Sequence, residues 1–317
     1  MRSLTRHLTA VAALLLGVGA PLAAANDKDY VRLERGSAPE HAALQTAVAH
    51  FRAPGSGVEI VLYGVVHVAE ADYYARVQRD LDSYTTVLFE GVAPGKEAPT
   101  EADNSLGDLQ MAMGDLLGLT FQKDGIDYTR KNLVHADMNM DQLKEHLGGG
   151  TISPMGQVMS EDQLKKMAPM IKMIAGMGKV FMQGNPRMRD QLKLQMATQL
   201  SQADLSKGLG EKMTQVILIE RNKVVMEVLG RQLAAQKDGS IAIFYGAAHM
   251  PDLEERLAAL GFQRTSMRWM SAWKVGEGVE DGWQAPATAG APKPAPRAAE
   301  PVPAGAPATT PSGARWF

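Results

Sequence analysis

The stretch Val58-Glu59-Ile60-Val61-Leu62-Tyr63-Gly64-Val65-Val66-His67 indicates the fold class of this 317-residue chain. A run of β-branched and apolar residues leads into Tyr-Gly-x-x-His, and residues with helical spacing follow. The same order recurs in Ile241-Ala242-Ile243-Phe244-Tyr245-Gly246-Ala247-Ala248-His249. We therefore expect each histidine just past the carboxyl end of a buried strand. Ligands bind at that edge in open α/β sheets, and glycine lets the backbone approach a partner closely.

Strands and helices alternate around the two motifs. The sequence predicts a strand over Leu44–Phe51, a turn over Ala53–Gly57, a helix over Ala71–Ser83, a strand over Thr85–Phe89 and a helix over Leu253–Leu260 that ends at Gly261. This order predicts an α/β fold with a mixed sheet, two strand–Gly-x-x-His–helix units, and helices on the faces. Gly-x-x-His arises readily by chance, so two unrelated histidines at strand ends are the alternative to one shared site.

Glu90 repeats the geometry of the two histidines, because it follows the predicted strand and precedes Gly91. A carboxylate at the end of a buried strand is costly to desolvate unless it is paired or binds a cation. We therefore group Glu90 with His67 and His249. The alternative is a carboxylate that points into solvent.

Four further residues are candidates for the same site. His135 and Asp137 lie two residues apart on a predicted short strand, 132–138, so their side chains point the same way. Each is either a ligand or a group that hydrogen-bonds to a ligand. Arg221 shares the buried face of a predicted helix, 214–235, and requires an anionic partner, with Asn222 beside it. A structural salt bridge is the alternative role for Arg221.

Residues 1–25 are typical of a secretory signal peptide. Arg2 and Arg6 precede the apolar stretch Leu8–Ala20, and Ala23-Ala24-Ala25 provides a small-residue cleavage pattern. The apolar stretch is shorter than the roughly 20 residues of a spanning helix, so we expect no stable membrane span after cleavage. We therefore expect a periplasmic or secreted protein. The chain has no cysteine, which excludes disulfides and thiolate metal sites.

Composition divides the remaining chain into three parts. Residues 26–283 are predicted to form the α/β domain, and within it residues 151–213 carry methionines at helical spacing. This pattern predicts a helical insertion that either fills a core or lines a groove. Residues 284–317 are rich in proline and alanine, which predicts a disordered tail, either passive or a tether. The formal net charge of −2 gives no electrostatic reason to expect nucleic acid as a partner.

Several of these segments together resemble the TraB/Tiki group, part of a wider superfamily that includes ChaN-like haem-uptake proteins and erythromycin esterases. The segments that carry the resemblance are Gly64–His67 followed by Tyr73-Tyr74, the strand that ends at Glu90, Glu220-Arg221-Asn222, and Gly246–His249 leading to Leu260-Gly261-Phe262. The resemblance spans most of residues 44–265. Ala248 stands where the group often has glycine, and the methionine-rich block has no counterpart, so the identity of the substrate does not transfer.

The resemblance implies a metal-dependent active site in which His67, Glu90 and His249 are the metal ligands. Arg221 and Asn222 are then expected close to them. Tiki metalloproteases use divalent cations such as Mn²⁺ or Co²⁺, and Zn²⁺ also suits these ligand types. The candidates with supporting roles are Tyr63, Gly64, His135, Asp137, Asn222, Tyr245 and Gly246.

Two neutral imidazoles and a carboxylate can hold a divalent cation that keeps one position open for water and lowers the pKa of that water. The sequence therefore predicts an exported metal-dependent hydrolase, and the resemblance makes it a peptidase with a peptide or protein substrate. Glu90 is either a ligand or the general base, and Arg221 is a candidate for stabilising an oxyanion. The alternative is a non-catalytic protein that binds a peptide or haem through His67, His249 or Tyr63. A third interpretation is an interaction protein that acts through the insertion and the tail.

Overall fold

A seven-stranded mixed sheet forms the centre of the molecule, and helices cover both faces. The computed structural model describes residues 30–96, 110–148, 151–152, 158–159, 176, 184–202, 211–276 and 279. The predicted α/β class with a mixed sheet is confirmed.

The strands of the described residues are β1 (Val31–Arg35), β2 (Ala42–Arg52), β3 (Gly57–Val65), β4 (Val68–Ala69), β5 (Thr86–Phe89), β6 (Thr120–Phe121), β7 (Leu133–His135), β8 (Thr151–Ile152), β9 (Val158–Met159), β10 (Asp238–Gly246) and β11 (Gln263–Val275). The helices are α1 (Ala71–Leu81), α2 (Gln122–Gly125), α3 (Met140–Leu147), α4 (Pro186–Gln202), α5 (Glu211–Thr214), α6 (Arg221–Ala235) and α7 (Met250–Ala259). A π-helical segment, Gln215–Glu220, joins α5 to α6, and a 3-10 turn, Ala247–His249, precedes α7. Residues 110–117 are also helical.

The sheet combines a parallel half with an antiparallel half. Strands β3, β10, β5 and β7 are parallel neighbours in that order. Strand β2 is antiparallel to β3 across the predicted turn Ala53–Gly57, and β1 and β11 are both antiparallel to β2. Our prediction named neither β1 nor β11. Because β3, β10, β5 and β7 are parallel, their four carboxyl ends lie at one edge of the sheet.

Each face of the sheet packs against its own helices. Tyr63 and Phe244 lie on the face covered by α1, together with Val77 of that helix. Leu62 and Tyr245 lie on the opposite face, which α6 and α7 cover. Alternation along β3 and β10 thus buries both faces of the central strands, as expected for parallel strands between helices.

The two Tyr-Gly-x-x-His motifs are staggered by one residue across the β3–β10 pair. Tyr63 lies opposite Phe244, and Gly64 lies opposite Tyr245. Because neighbouring residues on a strand point to opposite faces, the two motif tyrosines end on opposite sides of the sheet. The two motifs thus repeat in sequence, but their tyrosine side chains pack against different helices.

Two predicted elements differ from the observed ones, and a third ends where it was predicted to end. Strand β7 ends at His135, earlier than the predicted strand 132–138, so Asp137 lies beyond it. The predicted helix 214–235 is interrupted at its start by the π segment. Helix α7 ends as predicted, since Gly261 has a positive φ of 86° and follows its last turn.

Part of the methionine-rich block belongs to the core. Helix α4 places Leu192, Met196 and Ala197 in the same cluster as Tyr63, which agrees with the core interpretation for this helix. Pro186 begins α4 and does not interrupt it, as expected of proline in a first turn. Strands β8 and β9 form a separate two-stranded sheet within the block. The rest of the block lies outside the described residues, as do the predicted signal peptide 1–25 and tail 284–317.

Within the described ranges, no helix combines the length and the apolar character needed to cross a membrane.

Candidate functional site

Three neighbouring parallel strands bring the predicted ligands to one edge of the sheet. His67 follows β3, His249 follows the central strand β10, and Glu90 follows β5. The order of these strands in the sheet is β3, β10, β5, although β10 comes last in the sequence. Residues far apart in the chain thus meet because their strands are neighbours.

The segment around His67 is held by hydrogen bonds from other elements. The Tyr74 hydroxyl donates to the Val66 carbonyl at 2.7 Å, and the Gln122 N–H donates to the His67 carbonyl at 2.8 Å. The His67 Nδ1 lies 3.2 Å from the Gln122 side-chain oxygen. Burial lowers the pKa of His67 below 6.5, although Glu90 opposes this shift. The imidazole is therefore neutral at neutral pH and has Nε2 free to accept.

His249 is buried and contacts three site residues. Its Nδ1 lies 2.7 Å from the Asn222 side-chain oxygen, and its Nε2 lies 3.4 Å from Glu90 Oε1. The edge of the ring meets the Tyr245 ring, with centroids 5.2 Å apart and planes at 81°. The Tyr245 hydroxyl donates to the Ala136 carbonyl, so the tyrosine is itself fixed. His249 therefore has little freedom to turn.

Both oxygens of Glu90 accept hydrogen bonds. Arg221 Nη2 donates to Oε1 at 2.8 Å, and the Gly246 N–H donates to Oε2 at 2.6 Å. Burial alone would raise the pKa of Glu90, but the Arg221 guanidinium lowers it below its usual range. Glu90 is 3% exposed and ionised, so the expected carboxylate at a strand end is paired and does not point into solvent.

Arg221 connects Glu90 to a second carboxylate, Asp137. Its Nε donates to Asp137 Oδ1 at 3.0 Å and its Nη2 to Asp137 Oδ2 at 2.5 Å. Asp137 also accepts from the Gly91 N–H at 2.9 Å. Burial alone would lower the pKa of Arg221, but the two carboxylates raise it above its usual range. Buried Arg221 thus has two carboxylates as its partners.

The charges of these side chains do not balance. Two buried carboxylates, Glu90 and Asp137, face one buried guanidinium, Arg221. The carboxylates in this group therefore outnumber the guanidinium by one. An uncompensated buried negative charge is unfavourable, so this group favours a bound cation.

Gly246 leaves a small space between the three predicted ligands. A Cβ placed on it would lie 3.3 Å from Glu90 Oε2, 3.7 Å from His249 Cδ2 and 3.9 Å from His67 Nε2. Its backbone angles, φ −53° and ψ 139°, suit any residue, so conformation does not require glycine here. Glycine instead keeps this space open.

Two of the three predicted ligands are spaced as they would be around one ion. Two donors about 2.1 Å from a tetrahedral ion lie about 3.4 Å apart, which matches the distance between His249 Nε2 and Glu90 Oε1. With Nδ1 directed at Asn222, the His249 Nε2 and the Glu90 oxygen are facing acceptors that a cation would join. In the part of the chain that the structure describes, no group of three or more histidine, aspartate or glutamate side chains is arranged so that it could hold a metal ion. The donor types and this pair fit a divalent cation, and His67 is not in place as the third ligand.

Some predicted supporting residues lie away from this group. The Tyr63 hydroxyl donates to Asp80 at 2.7 Å, on the face of the sheet that α1 covers. A Cβ on Gly64 would lie 3.1 Å from the Ala47 carbonyl, so this glycine lets β2 and β3 approach each other. His135 contacts the Gly91 carbonyl but is exposed, whereas Asp137 is buried.

Two contributors to the site were missed in the sequence. Gln122 contacts His67, and Asp252 accepts from the Asn222 amide at 2.7 Å. Asp252 lies in the first turn of α7, where acidic residues are favoured, so this position had a detectable signal. Gln122 had none, because only the pairing of β4 with β6 brings it to His67.

The comparisons with known proteins identify no relative, since no family model, no curated protein and no solved structure matches this chain.

Proposed function

We propose that this protein is an exported metal-dependent hydrolase that cleaves a peptide or protein substrate at the carboxyl edge of its sheet. The observation that carries the proposal is the meeting of both Gly-x-x-His histidines and Glu90 around Gly246. Each histidine directs Nδ1 to a side-chain amide oxygen, which leaves Nε2 available to an ion.

His67, Glu90 and His249 are the residues that would hold the ion. His67 would have to move into position beside the other two. A bound divalent cation would supply a water of lowered pKa and would polarise the scissile carbonyl. Mn²⁺ and Co²⁺ follow from the resemblance to the TraB/Tiki group, and Zn²⁺ suits the same donors.

The surroundings of Glu90 favour a ligand over a general base. A general base works best with a pKa near the working pH, whereas the pKa of Glu90 is lowered below its usual range. Both of its oxygens already accept hydrogen bonds from Arg221 and Gly246. Glu90 is therefore well suited to hold a cation and poorly suited to take a proton.

The contacts of Arg221 favour a positioning role. Its Nε and Nη2 donate to Asp137 and Glu90, and the residue is 1% exposed. Arg221 thus fixes Glu90 and partly neutralises it. Stabilisation of an oxyanion by Arg221 stays a prediction.

The peptidase class and the exported location belong to this proposal. The first rests on the resemblance of the Gly-x-x-His motifs to those of the Tiki metalloproteases. The second rests on the signal-like pattern of residues 1–25.

The proposal is tested by hydrolysis of a peptide library by the purified protein with EDTA and with added Mn²⁺, Co²⁺ or Zn²⁺. We expect cleavage that EDTA abolishes and one of the metals restores. His67→Ala and His249→Ala are expected to lose it. His146→Ala, which changes an exposed histidine on α3, is the matched control and is expected to retain it.

Metal-independent cleavage, or cleavage that survives both substitutions, contradicts the proposal. Metal or peptide binding without cleavage identifies the non-catalytic alternative. An absorption band of bound haem in the purified protein identifies the haem-binding alternative.

A further inference from the structure

We propose that Asn222 and Asp252 are positioning residues that fix the tautomer of His249, and that Gln122 does the same for His67. The inference rests on the proposed function, because it concerns how that site presents its histidines to a cation. It adds residues from α2 and α7 that act through the histidines.

The orientation of the Asn222 amide is determined by groups that can only accept. Its Nδ2 donates to the His249 carbonyl at 3.2 Å and to Asp252 Oδ2 at 2.7 Å. The nitrogen end of the amide must therefore face these two acceptors. The oxygen end faces His249 Nδ1 at 2.7 Å.

The amide oxygen has no proton to give, so His249 Nδ1 must donate. The lone pair of His249 then lies on Nε2, which is 3.4 Å from Glu90 Oε1. Asp252 thus determines, through Asn222, which nitrogen of His249 is free. Arg256 completes the chain, with its Nε donating to Asp252 Oδ2 at 2.6 Å and its Nη2 to Oδ1 at 3.2 Å.

The fixed tautomer prevents a competing hydrogen bond inside the site. If the proton were on Nε2, His249 would donate to the Glu90 carboxylate, and each would satisfy the other. A cation would then have to break that bond before it could reach either ligand. With the proton on Nδ1, both facing atoms are acceptors, and the pair attracts a cation.

His67 has a corresponding partner in Gln122. The Gln122 oxygen lies 3.2 Å from His67 Nδ1, and its Nε2 donates to the Tyr128 hydroxyl at 3.0 Å. Gln122 is 5% exposed, so its amide is held by these contacts and not by solvent. Both histidines thus have a side-chain amide at Nδ1.

The test is the ¹⁵N spectrum of the His249 ring in the metal-free protein, assigned by its absence in His249→Ala. The expected wild-type spectrum has a protonated Nδ1 and an unprotonated Nε2. Asn222→Leu is expected to move the proton to Nε2. The same variant is expected to weaken Mn²⁺ binding by roughly 10–100-fold, the usual effect of losing a residue that orients a ligand.

Asn132→Leu is the matched control, because Asn132 donates only to the carbonyls of Leu81 and Tyr84, remote from His249. It is expected to leave the His249 spectrum unchanged. Asp252→Ala removes one anchor at a partly exposed position, so it provides the same test if Asn222→Leu does not fold. A wild-type Nε2–H tautomer, or a spectrum that neither Asn222→Leu nor Asp252→Ala changes, overturns the inference. If His249 has the expected tautomer but the protein binds no metal, the proposed function is contradicted, while the positioning role of Asn222 and Asp252 stands.

Discussion

The two motif glycines, Gly64 and Gly246, serve different purposes although they occupy the same place in the Tyr-Gly-x-x-His pattern. Gly64 lets the backbone of β3 pass close to the Ala47 carbonyl, where a Cβ would lie 3.1 Å away. Gly246 keeps open the space between Glu90 and the histidines. The same residue type is thus needed for packing in one motif and for the site in the other.

Gly246→Ala is expected to fold and to lose ion binding. The backbone angles accept alanine, and the added methyl group fills the space beside Glu90 Oε2. Gly230→Ala is the matched control, because a Cβ there meets nothing within 4 Å. Because Gly230 lies in the interior of α6, Gly230→Ala is expected to stabilise the protein by about 0.5–1 kcal/mol and to leave ion binding unchanged. Urea unfolding measures the change in stability, and titration with Mn²⁺ measures ion binding. Unimpaired Mn²⁺ binding by Gly246→Ala would contradict the role of Gly246 in keeping the ion site open.

At the residue scale the sequence predicted the candidate site residues better than the residues that contact them. His67, Glu90, Arg221 and His249 were found because each lies at a strand end or on the buried face of a helix. Tyr63 was misplaced, because the one-residue stagger between β3 and β10 depends on pairing that no local pattern reveals. His135 and Asp137 were predicted to lie on one strand and to point the same way, but β7 ends at His135 and Asp137 lies beyond it.

At the scale of elements, the π segment Gln215–Glu220 explains how α5 and α6 pack against different parts of the molecule although they are continuous in the chain. At the start of the π segment, Met213 of α5 and Val216 of the segment itself pack in a cluster with Val92 and α3. After it, Arg221 turns toward Glu90 and α6 packs on the sheet. An α-helix turns about 100° per residue, so the wider π turn changes the direction of one part relative to the other.

Deletion of Ile219 is expected to restore regular α-helix and to rotate α5 away from its cluster. Helix α6 should stay in place, because Val225 and Leu229 are fully buried. Loss of Met213 and Val216 from the cluster is expected to cost about 2–5 kcal/mol, while Mn²⁺ binding is retained. Ile219→Ala, which keeps the length, is the control and is expected to cost less. If the Ile219 deletion abolished Mn²⁺ binding without a change in stability, α6 and Arg221 would have rotated in place of α5, which contradicts this prediction.

The sequence predicted the elements that carry local periodicity. Strand β3, helix α1 and helix α7 agree with their predicted positions to within a few residues. Strand β11 was missed, because its first half alternates weakly and its edge position is determined by pairing with β2. The π segment was missed because the composition of 214–235 is that of an ordinary helix.

At the scale of the whole molecule, the site depends on the order of strands in the sheet. Strand β10 is inserted between β3 and β5, so His249 lies between His67 and Glu90. The sequence predicted a mixed sheet with candidate ligands just past the carboxyl ends of buried strands, but it did not determine the order of those strands. The order is what turns two separate motifs into one candidate site.

The most direct test of a shared site is a thermodynamic cycle of Mn²⁺ binding by calorimetry. Wild type, His67→Ala, His249→Ala and the double variant are compared. We predict one ion per chain in the wild type and a loss in each single variant greater than the roughly 10–100-fold caused by a supporting residue. The double variant should then lose little more than either single variant, because the two histidines bind the same ion. Two ions per chain, additive losses or unchanged affinity would contradict a shared site.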